Sequence, residues 1–411
     1  MKSNKAIFIL FLLLGFAIFS NSLNGDFIHD DLIVLSHSFF SEPKKIFNFF
    51  SEPYFEDFHQ AGLYRPLTQI SFAVNFLVGS SPLNFHLTNV LLHIINSFLI
   101  FLFLKRLTGK HNLPIIAALL FLVLPIHVEA VASIVGRAEL LSFLFGILTL
   151  LLWFDLRYIF SAIILLLALL SKESAVAVIA LIFLFNRHYK RNWNFLFWHL
   201  GALTVYFALR IAVLGRHAFY PKVEFIFNPL AYVSFFERFF TSLKILVLYI
   251  FKIFAPYRLS ADYSYDQIPI VTNLFSSPLA LMGLAFLCLM VWVGYRIFWI
   301  RGYSVLDWVL LFFFLPYLVI SNLFFPTGTI MAERLMYFPS LGVLMVPAVF
   351  IEQLFKASRQ LSLAILLILL AVYGFITVSQ NRVWVSREAL LADIFKKSPD
   401  SVVAKTEYGI L

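Results

Sequence analysis

The sequence predicts an all-α polytopic membrane protein: a bundle of about 11–13 transmembrane helices with a long first external loop carrying amphipathic helices. Three observations carry this prediction. Of 411 residues, 61% are hydrophobic and only 13% charged, with a mean hydropathy of +0.90. A soluble domain cannot bury that much apolar surface, so lipid must be the solvent for most of the chain. The apolar residues come in continuous runs rather than alternating ones, which argues against a β-barrel. Aromatic residues reach 18%, with 50 Phe, and Phe-rich spans with Trp and Tyr near their ends suit helices anchored at two interfaces.

A helix crosses a bilayer in about 20 residues. On that measure candidate spans fall at 6–22, 84–104, 113–130, 138–154, 158–171, 174–186, 193–214, 239–256, 278–299, 304–325, 338–355 and 361–379. Lys2 and Lys5 precede the first, and no small-residue cleavage site follows it, so it reads as an uncleaved anchor with a cytoplasmic N-terminus. The short 158–171 and 174–186 segments flank Lys172-Glu173 and are tilted spans or half-spans meeting a polar pocket.

The net charge is +9, and the basic residues fall mostly in short loops, where they set topology rather than bind nucleic acid. Lys105-Arg106 with Lys110, the 187–191 run, Arg296 with Arg301, and Lys356 with Arg359 read as cytoplasmic. The complementary loops, expected outside, hold Asp30-Asp31, His127 to Glu129, Lys172-Glu173, Asp262 to Asp266 and Glu333-Arg334. One conflict appears: the loops at 187–191 and 296–301 require an even number of crossings between them, yet three apolar segments intervene. Either residues 224–240 also cross or re-enter, or one segment lies in the interface. The lone Cys288 excludes an intrachain disulfide and implies no redox or zinc chemistry.

Two domains are expected. Residues 1–379 form the membrane domain, whose first external loop, about 23–83, includes the amphipathic "KKIFNFFSEPYF". Residues 380–411 are a polar external tail that reads as the opening of a tetratricopeptide-type repeat.

Ionisable side chains at membrane depth usually serve a function or sit in water. Adjacent Asp30 and Asp31 can divide labour, one as general base on an acceptor hydroxyl and the other orienting the acceptor or a metal; a solvated Asx turn is the plainer reading. His86, Asn89, His93 and Asn96 share one helix face, where inter-helix hydrogen bonding is the stronger expectation. His127, Glu129, Arg137 and Glu139 crowd one membrane-edge turn. They are candidate site residues or a self-neutralising cluster, and His127-x-Glu129 also has the donors of a metal pair. Lys172 is either a local partner of Glu173 or a cation for a phosphate headgroup. Arg334, beside Glu333 and Tyr337, is a second phosphate clamp, and Arg65 adds a third cation. Together these suit a lipid-linked anionic donor meeting a polar acceptor: the cations hold the phosphate, and an Asp deprotonates the incoming hydroxyl.

Five stretches in register, "FIHDD", "YRPLT", "PIHVEAVASIVGRAELLS", "LSKES" and "AERLMYFPSLG", resemble the membrane half of the transmembrane and tetratricopeptide repeat-containing protein O-mannosyltransferases and their prokaryotic relatives. These are GT-C superfamily glycosyltransferases. The resemblance spans most of residues 20–345. It implies a GT-C-type bundle and an inverting transfer of a mannose-like hexose from a polyprenyl- or dolichyl-phosphate carrier to a protein Ser/Thr or glycan hydroxyl on the external or lumenal face. That face would belong to the inner membrane in a prokaryote or the endoplasmic reticulum in a eukaryote. It places the catalytic acids at Asp30 and Asp31. Donor-phosphate contacts fall at Lys172, Arg334 and Arg65, and the second acidic or sugar-contacting group at His127, Glu129, Arg137, Glu139, His86, Glu333 and Tyr337. No cofactor is required, although Asp31, His127 and Glu129 leave a divalent ion such as Mg or Mn open. The alternatives are a transporter or flippase of a lipid-linked anion, which should carry its charges near the midplane, and a noncatalytic scaffold presenting the repeats.

Overall fold

A run of apolar residues in hydrocarbon must satisfy its backbone internally, and the helix is the local way to do so. The computed structural model accordingly has helices and turns but no strand among its described residues, which are 2–41, 43–56, 59–191, 193–299, 305–399 and 401–410. Arg301 and the first residue of the expected 304–325 span lie outside them. In chain order the helices are α1 (Lys2–Phe19), α2 (Asp30–Leu35), α3 (Pro66–Val78), α4 (Pro82–Thr108), α5 (Asn112–Val123), α6 (Val128–Ala132), α7 (Arg137–Phe154), α8 (Tyr158–Ser171), α9 (Ala177–Tyr189), α10 (Asn194–Leu214), α11 (Phe235–Phe254), α12 (Pro278–Trp299), α13 (Val305–Ile320), α14 (Ser340–Ala357), α15 (Arg359–Asn381), α16 (Arg387–Lys397) and α17 (Val402–Ile410).

Each of the twelve expected spans has a helix at its place. Among the described residues, seven helices are long and apolar enough to cross a membrane, and the α5–α6 pair, bent by 54°, makes an eighth. The remaining four candidates are short (α8, α9, α13) or amphipathic (α11), so a length criterion counts fewer than the eleven to thirteen expected from hydropathy.

Polar contacts sort the loops into two ends. At one end Lys105 reaches Asn4, Arg106 faces Asp155, Lys110 pairs with Glu352, Arg191 donates to the carbonyls of Trp153 and Phe154, and Arg187 donates to that of Phe298. This is the basic end. At the other, Asp31 accepts from the amide of Val135, Thr68 donates to the carbonyl of Ser171, Arg210 donates to that of Gly62, Arg334 faces Asp30, and the amide of Asp26 donates to Val385. Among the described residues, the helices that run between these two ends are α1, α4, the α5–α6 pair, α7, α8, α9, α10, α12, α13, α14 and α15.

The parity conflict is settled by α11. Its first turn docks on the loop between α13 and α14 through Arg238 and the Phe324 carbonyl, 3.4 Å apart. Its last turn meets the same loop through Lys252 and Glu333, 3.9 Å apart. The stretches before and after it also meet, the Tyr265 amide donating to the Ile226 carbonyl at 2.8 Å, so α11 starts and ends at one end of the bundle and lies across it rather than through it. α11 starts with a capping box, Ser234 and Glu237 bonding each other's backbone amides. Only α10 and α12 therefore cross between the two basic loops. The polar tail returns to the far end, where Leu390 and Ile394 of α16 pack with Trp384, Ile28, Val128 and Ala132.

Candidate functional site

The acidic and basic side chains of the far end meet in two adjoining clusters. The first is centred on Arg334, which follows the extended Ala332 in a turn before α14. Its guanidinium pairs with Glu129 of α6, its own amide donates to the second oxygen of Glu129 at 2.8 Å, and it lies 4.0 Å from Asp30. Glu129 is 1% exposed, whereas Arg334 and Asp30 are 29% and 31% exposed. Burial opposes the charge on Arg334, but Glu129 and Asp30 outweigh it and raise its pKa.

The paired aspartates do different things. Residues successive on a helix point about 100° apart, so the first turn of α2 sends Asp31 inward and leaves Asp30 partly exposed. Asp31 is fully buried, accepting from the amides of Val135 at 2.9 Å and Ile28 at 3.3 Å. Burial pushes its carboxyl up to about 7, against the pull of those two amides. Asp30 instead sits between His29, 3.6 Å from one oxygen, and Arg334 near the other. His29 holds a left-handed backbone, φ 51°, a strained conformation for a residue with a Cβ.

The second cluster consists of two crossed ion pairs. Lys172 pairs with Glu139 across α7 and α8, and Arg65 grips Glu173 with two hydrogen bonds, of 3.0 and 2.6 Å. Burial would raise the Glu173 carboxyl, but Arg65 outweighs it and holds it well below the usual range. Burial pushes the Lys172 amine down, against the attraction of Glu139. Glu139 acts electrostatically on both Arg65 and Arg334, so the two clusters share one field.

Behind Arg334, Glu333 is 2% exposed and accepts from the Ser260 amide at 2.8 Å and from the Tyr263 hydroxyl. Burial pushes its carboxyl up to about 8, with Lys252 opposing. Lys397 of α16 donates to the Leu259 carbonyl beside this network, so the tail touches the loop that holds Glu333.

Thus Asp30, Asp31, Glu129, Arg334 and Glu333 come together, with Arg65, Lys172 and Glu139 alongside. Four other candidates point into the helix packing. Arg137 is fully buried and, among the described residues, has no carboxylate partner: it donates to Asn89, Asn75 and the carbonyls of Ser71 and Phe85, with its guanidinium 4.6 Å from the Phe72 ring. His127 has both ring nitrogens engaged, by the Phe121 carbonyl and Ser340. Tyr337 bonds His93 at 2.8 Å and Asn96 at 3.1 Å. His86 is buried against Gly25, where a Cβ would come within 2.7 Å of its Nε2. The stripe of α4 therefore serves inter-helix bonding at Asn89, His93 and Asn96. Among the described residues no group of three or more His, Cys, Asp or Glu is placed to hold a metal ion. Asp31, His127 and Glu129 each have other partners and do not form one.

Sequence reasoning takes Glu173 only as a local partner of Lys172 and passes over His29, Lys252 and Tyr263. Glu173 and His29 stand inside "LSKES" and "FIHDD", where their neighbours drew the attention. Lys252, in the last turn of an amphipathic helix, and Tyr263, in the expected external loop, gave no signal of meeting Glu333.

No family model matches the chain, and no solved structure does. Curated relatives do. A protein O-mannosyl-transferase of Caenorhabditis elegans is 29% identical over 85% of this chain and 52% of its own length. The human protein O-mannosyl-transferases TMTC1 and TMTC4 are each 27% identical over 95% of this chain, and over 51% and 61% of their own lengths. The chain thus spans about half the length of the curated relatives it matches. Over most of its residues it resembles the protein O-mannosyl-transferases, as its motifs predict.

Proposed function

We propose that this chain is the membrane catalytic part, residues 1–379, of a GT-C-type inverting glycosyltransferase. In this reading it moves a mannose-like hexose from a polyprenyl- or dolichyl-phosphate carrier to a protein Ser/Thr hydroxyl on the external or lumenal face. Residues 380–411 then begin a repeat region on that face. The observation that carries the reading is the placement of Asp30 beside Arg334, both partly exposed, in front of buried, paired charges.

The roles follow from exposure and charge. Asp30 takes the proton of the acceptor hydroxyl as its oxygen attacks the anomeric carbon. The bond from that carbon to the carrier phosphate breaks, and the phosphate leaves with the carrier. Arg334, one edge of which remains open, stabilises the charge gathering there. Glu129 orients Arg334, and Asp31 fixes α2 so that Asp30 faces Arg334. Arg65 and Lys172, already engaged with carboxylates, set the field of the donor pocket. The crowding of charge at one end favours this reading over transport, which calls for charges at the midplane.

The test is transfer by the purified protein from a polyprenyl-phosphate mannose to a Ser/Thr peptide. Product formation that Asp30→Asn abolishes supports the reading. Product formation undiminished in Asp30→Asn and Arg334→Gln removes it.

A further inference from the structure

We propose that the basic end carries a binding groove for one anionic phospholipid, between α9, α12 and α13. The groove is open-sided, with a volume of about 150 Å³. Leu184 of α9, Met290, Val293 and Gly294 of α12, and Leu311 and Phe314 of α13 line it. Leu184 and Gly294 lie five residues from the ends of their helices, roughly 8 Å below the basic end at 1.5 Å per residue. That is the depth at which an acyl chain begins beneath its headgroup.

Gly294 is the unusual member. Glycine inside a helix costs about 0.5–1 kcal/mol relative to Ala, and in membrane helices it commonly lets two backbones approach. Here a Cβ added at Gly294 would meet no atom within 4 Å. The residue opens space rather than closing a contact.

Toward the basic end α9 carries two cations, and Arg296, two residues beyond Gly294 on α12, pairs with Asp307 of α13. Arg187 stands one turn beyond Leu184 on α9 and bridges to α12, donating to the Phe298 carbonyl at 3.1 Å with its guanidinium 4.6 Å from the Phe298 ring. That single hydrogen bond leaves the other guanidinium donors for a ligand. Lys190 caps α9 in an exposed left-handed conformation, φ 49°. Among the described residues, neither cation pairs with a carboxylate. Exposed Tyr295 and Trp299 flank the mouth on α12, as interfacial aromatics do at headgroup level. An apolar slot for a chain beneath two available cations is complementary to a lipid phosphate. The groove lies at the opposite end from Arg334, so it stands whether or not the transferase reading does.

Native mass spectrometry of the detergent-purified protein tests it, with phosphatidylglycerol and phosphatidylcholine of identical chains as probes. The wild type should retain phosphatidylglycerol about fivefold more tightly per cation engaged. Arg187→Gln should lose about that factor for phosphatidylglycerol alone. Gly294→Leu, whose Cβ would meet no atom within 4 Å, should weaken both lipids. Gly201→Leu, on α10 with equally open surroundings, should weaken neither. Equal retention of the two lipids by the wild type overturns the proposal, as does wild-type phosphatidylglycerol binding in Gly294→Leu. Polyprenyl phosphate binding more tightly than phosphatidylglycerol, and lost in Gly294→Leu, overturns the assignment to a phospholipid.

Discussion

The two ends of the bundle use charge in opposite ways. At the basic end several cations bond to helix carbonyls or to an exposed acid, as Arg187, Arg191 and Arg106 do, and one buried acid, Asp307, is paired with Arg296. At the other end three cations are matched to carboxylates: Lys172 with Glu139 and Arg65 with Glu173, largely withdrawn from water, and the partly exposed Arg334 with the buried Glu129. An exposed pair contributes little and its cation serves orientation in the membrane. A buried pair is costly to assemble and costlier to leave half made. The difference teaches that position decides meaning: similar residues are topology signals at one rim and the framework of a candidate site at the other.

Substitutions can break this contrast. The largest effect is expected at Asp30→Asn, which should lower sugar transfer about 10²–10⁴-fold while thermal unfolding stays near wild type, because Asp30 is partly open. A variant with wild-type turnover would return Asp30 to the ordinary loop residues. Next comes Lys172→Met. It strands Glu139 and should destabilise the protein by about 3–5 kcal/mol, seen as a lower unfolding midpoint. Adding Glu139→Gln should restore much of it, whereas strictly additive losses would show the pair to be uncoupled.

Asp31 gives a smaller, pH-dependent effect. Its folded carboxyl is raised from 3.8 to about 7, so the native state holds the proton more tightly than the unfolded chain. Its contribution is full below pH 4 and is lost as pH rises through 7, by roughly 2–4 kcal/mol. Glu333 titrates in the same sense. The difference between wild type and Asp31→Asn from pH 4 to 8 isolates Asp31, and the variant should depend less on pH. Parallel stability profiles would assign the titration elsewhere. The smallest effect belongs to Arg106→Gln. Its 3.7 Å contact with Asp155 is more than half exposed on both sides, so stability should change by less than about 1 kcal/mol. A larger loss would erase the distinction between the ends.

Much of the fold was legible because length and apolarity are one-dimensional properties. The twelve helices stand where the runs of Ile, Leu and Phe are. The attitude of α11 was not legible, since an amphipathic helix reads the same whether it lies across a bundle or lines its interior. Within the site, the cations and acids were visible but their partners were not. Lys172 and Glu173 are adjacent in sequence, and Lys172 is extended, φ −160° and ψ 138°, so the two side chains diverge and pair with Glu139 and Arg65 instead. Arg137 was drawn to the site by its acidic neighbours, yet Asn75, on a helix 62 residues earlier, holds it in the packing. Sequence spacing places a residue on a face, but only the meeting of distant elements decides what that face touches.

The transverse lie of α11 also has a compartmental consequence. The stretches before and after it, 215–234 and 255–277, emerge into the same space although a long apolar helix separates them. A protease sequence grafted near Tyr220 and another near Asp266 should be cut from one side of a sealed vesicle. Reporter fusions that scored α11 as a crossing would invert the assigned sidedness of everything after it.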